Sequence, residues 1–167
     1  MKLLIVRHGP AGDRESWQAE GHDDRLRPLT PEGKKEVRRA TAGLADLIPD
    51  LPVVATSPLV RAAQTAEILA KTYRCEVISL EALEPEEDPS SAIEWLRTRQ
   101  SDSTIALVGH EPHLSTLVCY LLTGKRESFI DLKKGGACLL KMDAAIRPGG
   151  AELKWALGPR ELAKLGV

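Results

Sequence analysis

The sequence predicts an α/β fold: a three-layer α/β/α sandwich whose central sheet is mostly parallel, with an antiparallel edge formed by the carboxyl-terminal part of the chain. Three observations point to it. Short strand-like runs alternate with amphipathic segments of helical length, the pattern of a parallel sheet flanked by helices. The run Leu3-Leu4-Ile5-Val6 is apolar throughout, as a strand covered on both faces is. The tail breaks the alternation: Ala137 to Met142 and Glu152 to Leu157 are two strand-like runs parted by Pro148-Gly149-Gly150, which fits an antiparallel pair.

Taken in order, the first strand, Leu3 to Val6, is followed by a polar stretch, Arg7 to Pro28, that fits neither period and reads as a loop with at most short helical turns. Thr30-Pro31-Glu32 starts a helix: an N-cap hydroxyl, proline at the first helical position and an acid in the first turn. Val37, Ala40, Leu44, Leu47 and Ile48 form its apolar stripe. Val53 to Thr56 is the second strand, and Ser57-Pro58 opens a helix that turns Ala62, Ala66 and Leu69 inward. Glu76 to Leu80 is the third strand, followed by an acidic loop, Glu81 to Pro89, and a helix capped by Ser90 that carries Ile93, Trp95 and Leu96. Thr104 to Val108 is the fourth strand. The chain then turns at Gly109 to His113 into a helix marked by Leu114, Leu117, Val118, Leu121 and Leu122.

The composition bounds what this fold can do. With 167 residues, 43% hydrophobic and 28% charged, the chain reads as one domain over residues 1–167 with a full core. The 23 Lys+Arg nearly cancel the 24 Asp+Glu, so neither a cationic nucleic-acid footprint nor an acidic tail is present, and any anion site has to be local. The longest apolar run, Leu117 to Leu122, falls far short of the roughly 20 residues a membrane helix needs. The amino terminus enters a strand without a signal-peptide layout. A cytoplasmic protein with neither a membrane nor a nucleic-acid partner is expected. Cys75, Cys119 and Cys138 are odd in number and scattered, which suits buried apolar positions rather than a disulfide frame or a zinc cage.

In an open parallel sheet, sites form at the carboxyl ends of the strands. The first strand runs into Arg7-His8-Gly9, the second into Ser57-Pro58-Leu59 with Arg61 one turn on, and the fourth into Gly109-His110-Glu111. Two arginines and two histidines thus meet at one rim. A guanidinium is a planar fork of donors matched to phosphate oxygens, and an imidazole can donate, accept or attack near neutral pH. In a chain with almost no net charge, this group asks for a small doubly charged anion, with phosphate the obvious candidate.

Four segments carry a family likeness: Leu4 to Gly9, Leu29-Thr30-Pro31-Glu32-Gly33, Thr56 to Ala66 and Val108-Gly109-His110-Glu111-Pro112. In that order, each after its strand or at its helix start, they resemble the motifs of the histidine phosphatase superfamily, also called phosphoglycerate mutase-like. The likeness spans roughly Met1 to Leu122, and Lys133-Lys134-Gly135-Gly136 is similar to the short, SixA-type phosphohistidine phosphatases. The resemblance implies that His8 is the nucleophile that accepts the phosphoryl group, splitting hydrolysis into two steps. Arg7 and Arg61 would bind the phosphoryl oxygens and disfavour imidazolium at His8, and His110 would donate from the opposite side. Relatives that act on phosphate esters carry a carboxyl after the third strand as general acid; here Glu84 is the candidate among Glu81, Glu84, Glu86, Glu87 and Asp88. Arg27 matches an arginine of the short pattern and is a candidate further phosphate contact.

Other chemistries fit less well. The two histidines around Glu111 are three apart with Pro112 between them, not four apart as in the zinc-helix motif, so no metal or other cofactor is expected. Neither Gly33-Lys34 nor Gly124-Lys125 has the earlier glycine of a phosphate-cradling loop, and Cys119 falls mid-helix, where a cysteine nucleophile has no amide cradle. The leading expectation is a metal-independent phosphatase for phosphohistidine on a partner protein, because a chain this short leaves little to enclose a metabolite. The alternatives are a phosphatase or mutase for a small phosphorylated metabolite, and a phospho-ligand-binding module without turnover.

Overall fold

The computed structural model describes residues 1–99 and 102–166. Six strands form one sheet: β1 (Lys2–Arg7), β2 (Val53–Thr56), β3 (Glu76–Ser79), β4 (Thr104–Gly109), β5 (Ala137–Met142) and β6 (Ala151–Leu157), in the order β3-β2-β4-β1-β5-β6. Pairs β1/β4, β2/β4 and β2/β3 are parallel, and β5 pairs antiparallel with both β1 and β6, so the expected sandwich and its antiparallel edge are both present. The helices are α1 (Arg14–Ala19), α2 (Pro31–Leu47), α3 (Val60–Tyr73), α4 (Pro89–Arg97), α5 (His113–Thr123) and α6 (Pro159–Leu165).

Alternation along the strands builds two cores. Leu3, Ile5, Ala55, Ile105 and Leu107 face α4 and α5, whose Ile93, Leu96, Leu114 and Leu117 complete one apolar layer. Leu4, Val6, Val54, Ala106 and Val108 face α2 and α3, where Val37, Leu44, Ala62 and Leu69 complete the other. With both faces covered, β1 and β4 are buried along nearly their whole length, which is why the first strand reads as apolar without a period of two.

Three expectations need correction, and one helix has no counterpart among them. Asp88, not Ser90, is the N-cap of α4: its carboxylate accepts from the Ser90 N–H at 2.8 Å, and Pro89 takes the first helical position. Helix α3 begins at Val60 rather than at Ser57-Pro58, and its N-cap, Leu59, makes no side-chain cap bond. Leu47, assigned to the buried stripe of α2, is 39% exposed, because the helix ends there and its last turn passes the edge of the core. Helix α6 went unread: it has only seven residues and one fully buried apolar side chain, Leu162. It lies directly on α2, since a Cβ on Gly43 would run into the Leu162 carbonyl.

No helix among the described residues is long and apolar enough to cross a membrane. The cysteines are unpaired, with Cys119 and Cys138 buried and Cys75 half-buried. Burial pushes the Cys138 thiol up to about 12, far from the thiolate a nucleophile needs.

Candidate active site

Strands β1, β2 and β4 end side by side, and short backbone bonds hold their ends together. The His8 N–H donates to the Gly109 carbonyl and the Ser57 N–H to the Val108 carbonyl, both at 3.0 Å. The Gly9 N–H donates to Thr65 Oγ1 on α3 at 3.1 Å, which ties the end of β1 to the helix that carries Arg61. From the antiparallel edge, Gly135 N–H reaches the carbonyls of Arg7 and His8 at 3.2 and 3.0 Å, and the Arg7 N–H donates to the Gly136 carbonyl at 3.1 Å. These contacts bring Arg7, His8, Arg61 and His110 to one cavity of about 890 Å3, with Arg27, Glu84 and Lys134 also in its wall. All six predicted site residues thus line a single cavity.

The two imidazoles are tilted against each other, ring centroids 5.1 Å apart, and both are buried, 6% and 3% exposed for His8 and His110. His8 Nδ1 lies 2.7 Å from the Gly9 carbonyl, which can only accept, so Nδ1 carries the proton and Nε2 keeps its lone pair. Burial, with the cations of Arg61, Arg7 and Lys134 adding to it, lowers the His8 pKa to about 3 against the pull of the Gly9 bond, so the ring is neutral at pH 7. His110 Nε2 lies 2.8 Å from Ser57 Oγ, which also accepts from the Leu59 N–H at 3.3 Å. Ser57 is fully buried, and these are its hydroxyl's two partners among the described residues, so its O–H proton goes to His110 Nε2. His110, its pKa lowered to about 2 by burial and then by His8 and Arg61, therefore holds its single proton on Nδ1.

The buried polar atoms without a partner among the described residues are informative. They include Arg7 Nε, Arg61 Nε and His110 Nδ1, three N–H donors in one cavity wall. Each buried donor left unsatisfied costs about 1–3 kcal/mol, a burden concentrated where an outside acceptor would relieve it. The far ends of both guanidiniums are tied down instead: Arg7 Nη1 donates to the Leu132 carbonyl at 2.6 Å, and Arg61 Nη1 to the Asp24 carbonyl at 2.8 Å. Each arginine is thus fixed at one end and presents an Nε–H at the other. Arranged around an unprotonated imidazole nitrogen, these donors can hold the equatorial oxygens of a phosphoryl group and stabilise the charge that spreads over them.

Two predicted residues behave differently. Arg27 is buried, but its Nε donates to Asp24 at 2.8 Å and its Nη1 to the Gly12 carbonyl at 2.7 Å, so those donors brace the loop after β1 rather than face a ligand. Glu84 accepts two bonds from Arg25, at 2.5 and 3.1 Å, and that guanidinium holds its carboxyl below the ordinary value. A general acid needs the opposite, a carboxyl that stays protonated, so the pairing argues against the role expected for Glu84. Sequence reading missed Ser57 and Asp24. Ser57 had a visible signal, since it follows β2 as His8 and His110 follow β1 and β4; Asp24 is set among charged neighbours and had none.

A family model described as the histidine phosphatase superfamily, branch 1, matches residues 3–85. An uncharacterized protein of Picosynechococcus sp. is 32% identical over 148 residues, covering 87% of each chain. Among solved structures, the chain is similar to the protein histidine phosphatase SixA complexed with tungstate, with a TM-score of 0.79, 24% identity and coverage of 97% of this chain and 99% of that one. It is also similar to a phosphoserine phosphatase of Entamoeba histolytica in complex with 3-phosphoglyceric acid, with a TM-score of 0.70, 17% identity and coverage of 96% and 98%. At these identities the two structures show a shared fold.

Proposed function

The chain belongs to the histidine phosphatase superfamily, and on that premise we propose that it removes the phosphoryl group from phosphohistidine on a protein, through a phosphoenzyme formed at His8. The observation that carries this reading is the neutral His8 ring, proton on Nδ1, set among the free N–H donors of Arg7, Arg61 and His110. In the first step His8 Nε2 bonds to phosphorus as the bond from phosphorus to the substrate nitrogen breaks. The substrate ring binds protonated on its other nitrogen, as a phosphoimidazolium, so the imidazole departs neutral with that proton and needs no acid from the protein. In the second step water attacks phosphorus, His8 is regenerated, and the released phosphate takes up the proton of water. Arg7, Arg61 and His110 hold the phosphoryl oxygens in both steps.

The choice of a nitrogen leaving group rests on the cavity's carboxyls. Of the five carboxyls that line the cavity, Asp13, Asp24 and Glu84 are pulled below their ordinary values by hydrogen bonds or nearby arginines, which favours a substrate that needs no protonation on departure. Tungstate, carried by the similar SixA structure, is a tetrahedral oxyanion of the kind these donors suit. A small phosphorylated metabolite remains the second reading, because the Arg25–Glu84 pair joins two of the loops that wall the cavity. The test is phosphate release from a phosphorylated histidine-transfer protein beside a panel of phosphate esters, with and without a chelator. Preference for the protein and indifference to the chelator support the proposal. Equal or faster turnover of an ester would move the assignment to the metabolite reading, and no turnover of any substrate would leave a phospho-ligand-binding module.

A further inference from the structure

Arg61 has two faces on which a guanidinium can form a pair of parallel bonds: the end-on edge of Nη1 and Nη2, and the side-on edge of Nε and the other Nη2 hydrogen. Asp24 takes the first with two different groups. Its backbone carbonyl accepts from Nη1 at 2.8 Å and its carboxylate from Nη2 at 3.1 Å. The side-on edge, with its buried Nε–H, is left over. The geometry points to Asp24 as the positioning residue of this site: it grips the end-on edge of Arg61 and so turns the side-on edge toward the phosphoryl group. This rests on the proposed phosphoryl chemistry for its kinetic consequences, but its binding consequence stands apart from turnover.

Asp24 is itself held rigidly enough for the task. It opens a 3-10 turn, Asp24–Leu26, that Asp23 caps by accepting from the Arg25 N–H at 2.9 Å. Trp17 Nε1 donates to the Asp23 carbonyl at 2.8 Å and anchors that turn to α1. The other carboxylate oxygen accepts from Arg27 Nε at 2.8 Å, so one acid separates two buried guanidiniums that would otherwise repel each other. Because Asp24 and a phosphoryl group use different edges of Arg61, they do not compete for it. A resident carboxylate acting as a stand-in for phosphate would instead have to leave before substrate binds, and the two roles predict opposite effects of its removal.

The experiment measures calorimetric binding of inorganic phosphate, together with kcat and KM, for the full chain and for Asp24→Ala, Asp24→Asn, Arg61→Ala and the Asp24→Ala/Arg61→Ala double variant. Asp24→Ala is expected to weaken phosphate binding by roughly tenfold or more and to lower kcat. Both variants keep the backbone carbonyl that Arg61 Nη1 reaches; Asp24→Asn also keeps an amide oxygen in the same volume, so it falls between Asp24→Ala and the parent and serves if the alanine variant folds poorly. In the Arg61→Ala background the Asp24 change should add less than about twofold, since its effect passes through Arg61. Phosphate binding as tight as or tighter than the parent's, or an undiminished loss in the Arg61→Ala background, would overturn the assignment. A parent chain that binds phosphate but turns over no substrate defeats the proposed function alone, and the binding series still decides the role of Asp24.

Discussion

The floor and the mouth of the cavity use the same residue types to different ends. On the floor, Arg7 and Arg61 are each bonded to a backbone carbonyl at one end and leave a buried Nε–H with no partner among the described residues. At the mouth, Arg25 is exposed and spends its donors on Glu84. Arg25 gives both its Nη groups to one carboxylate at an exposed position; Arg7 is pinned by a neutral carbonyl and Arg61 by the carbonyl and carboxylate of Asp24, yet each keeps a buried Nε–H for a ligand. The difference teaches that arginine content alone does not make an anion site. What matters is which edge the fold consumes and with what.

The sharpest test of this contrast is His8→Ala, expected to abolish turnover and the acid-labile phosphoenzyme; label still trapped elsewhere would sink the nucleophile assignment. Next, Arg61→Ala should cost about 10²–10³ in kcat, or ~2.7–4 kcal/mol of transition-state stabilisation. Arg25→Ala should change the rate less than about threefold. Comparable losses at the two positions would erase the distinction between floor and mouth.

Acid separates the regions by pH window. The folded pKa values of His8 and His110, about 3 and 2, lie below the ordinary 6.5, and burial lowers that of His113 as well, so the unfolded chain takes up protons first as pH falls. Stability is therefore lost below pH 6.5, each such histidine contributing up to about 1.4 kcal/mol per pH unit. The carboxyls of Asp13, Asp24 and Glu84, whose values are lowered, act in the same direction but only below about pH 4.5. Denaturant unfolding between pH 7 and 5 thus reads the buried histidines His8, His110 and His113, and a flat profile there would mean that they take up protons in the folded state as readily as in the unfolded one. The smallest effect is expected for Glu84→Gln, under about threefold in kcat, whereas loss of a general acid costs about 10²–10⁴.

Much of this was legible in the sequence because it is local. Apolar runs and caps mark the elements, and Arg7, His8, Arg61 and His110 lie at or just beyond strand ends, where an α/β fold gathers its chemistry. What escaped depends on partners distant in the chain. Asp24 meets Arg61 across 37 positions, and Glu84 meets Arg25 across 59. No local pattern distinguishes an acid that will orient an arginine from one that is merely solvated. The cap at Asp88 was a different kind of miss: Asp88-Pro89 repeats the pattern of Thr30-Pro31, and proline at the first helical position indicates the residue before it.

The bond from Arg7 to the Leu132 carbonyl also has a temporal meaning. Its ends are 125 positions apart. A ribosome adding roughly 5–20 residues per second would finish Leu132 about 6–25 s after Arg7. Once Arg61 has been made, the nascent chain holds it and His8 without the clasp on Arg7 or the Gly135 bonds to the end of β1 until Leu132 and Gly135 follow. The anion cradle is thus completed only after Leu132 and Gly135 have been made, by the edge of the sheet farthest in sequence from the residues it steadies.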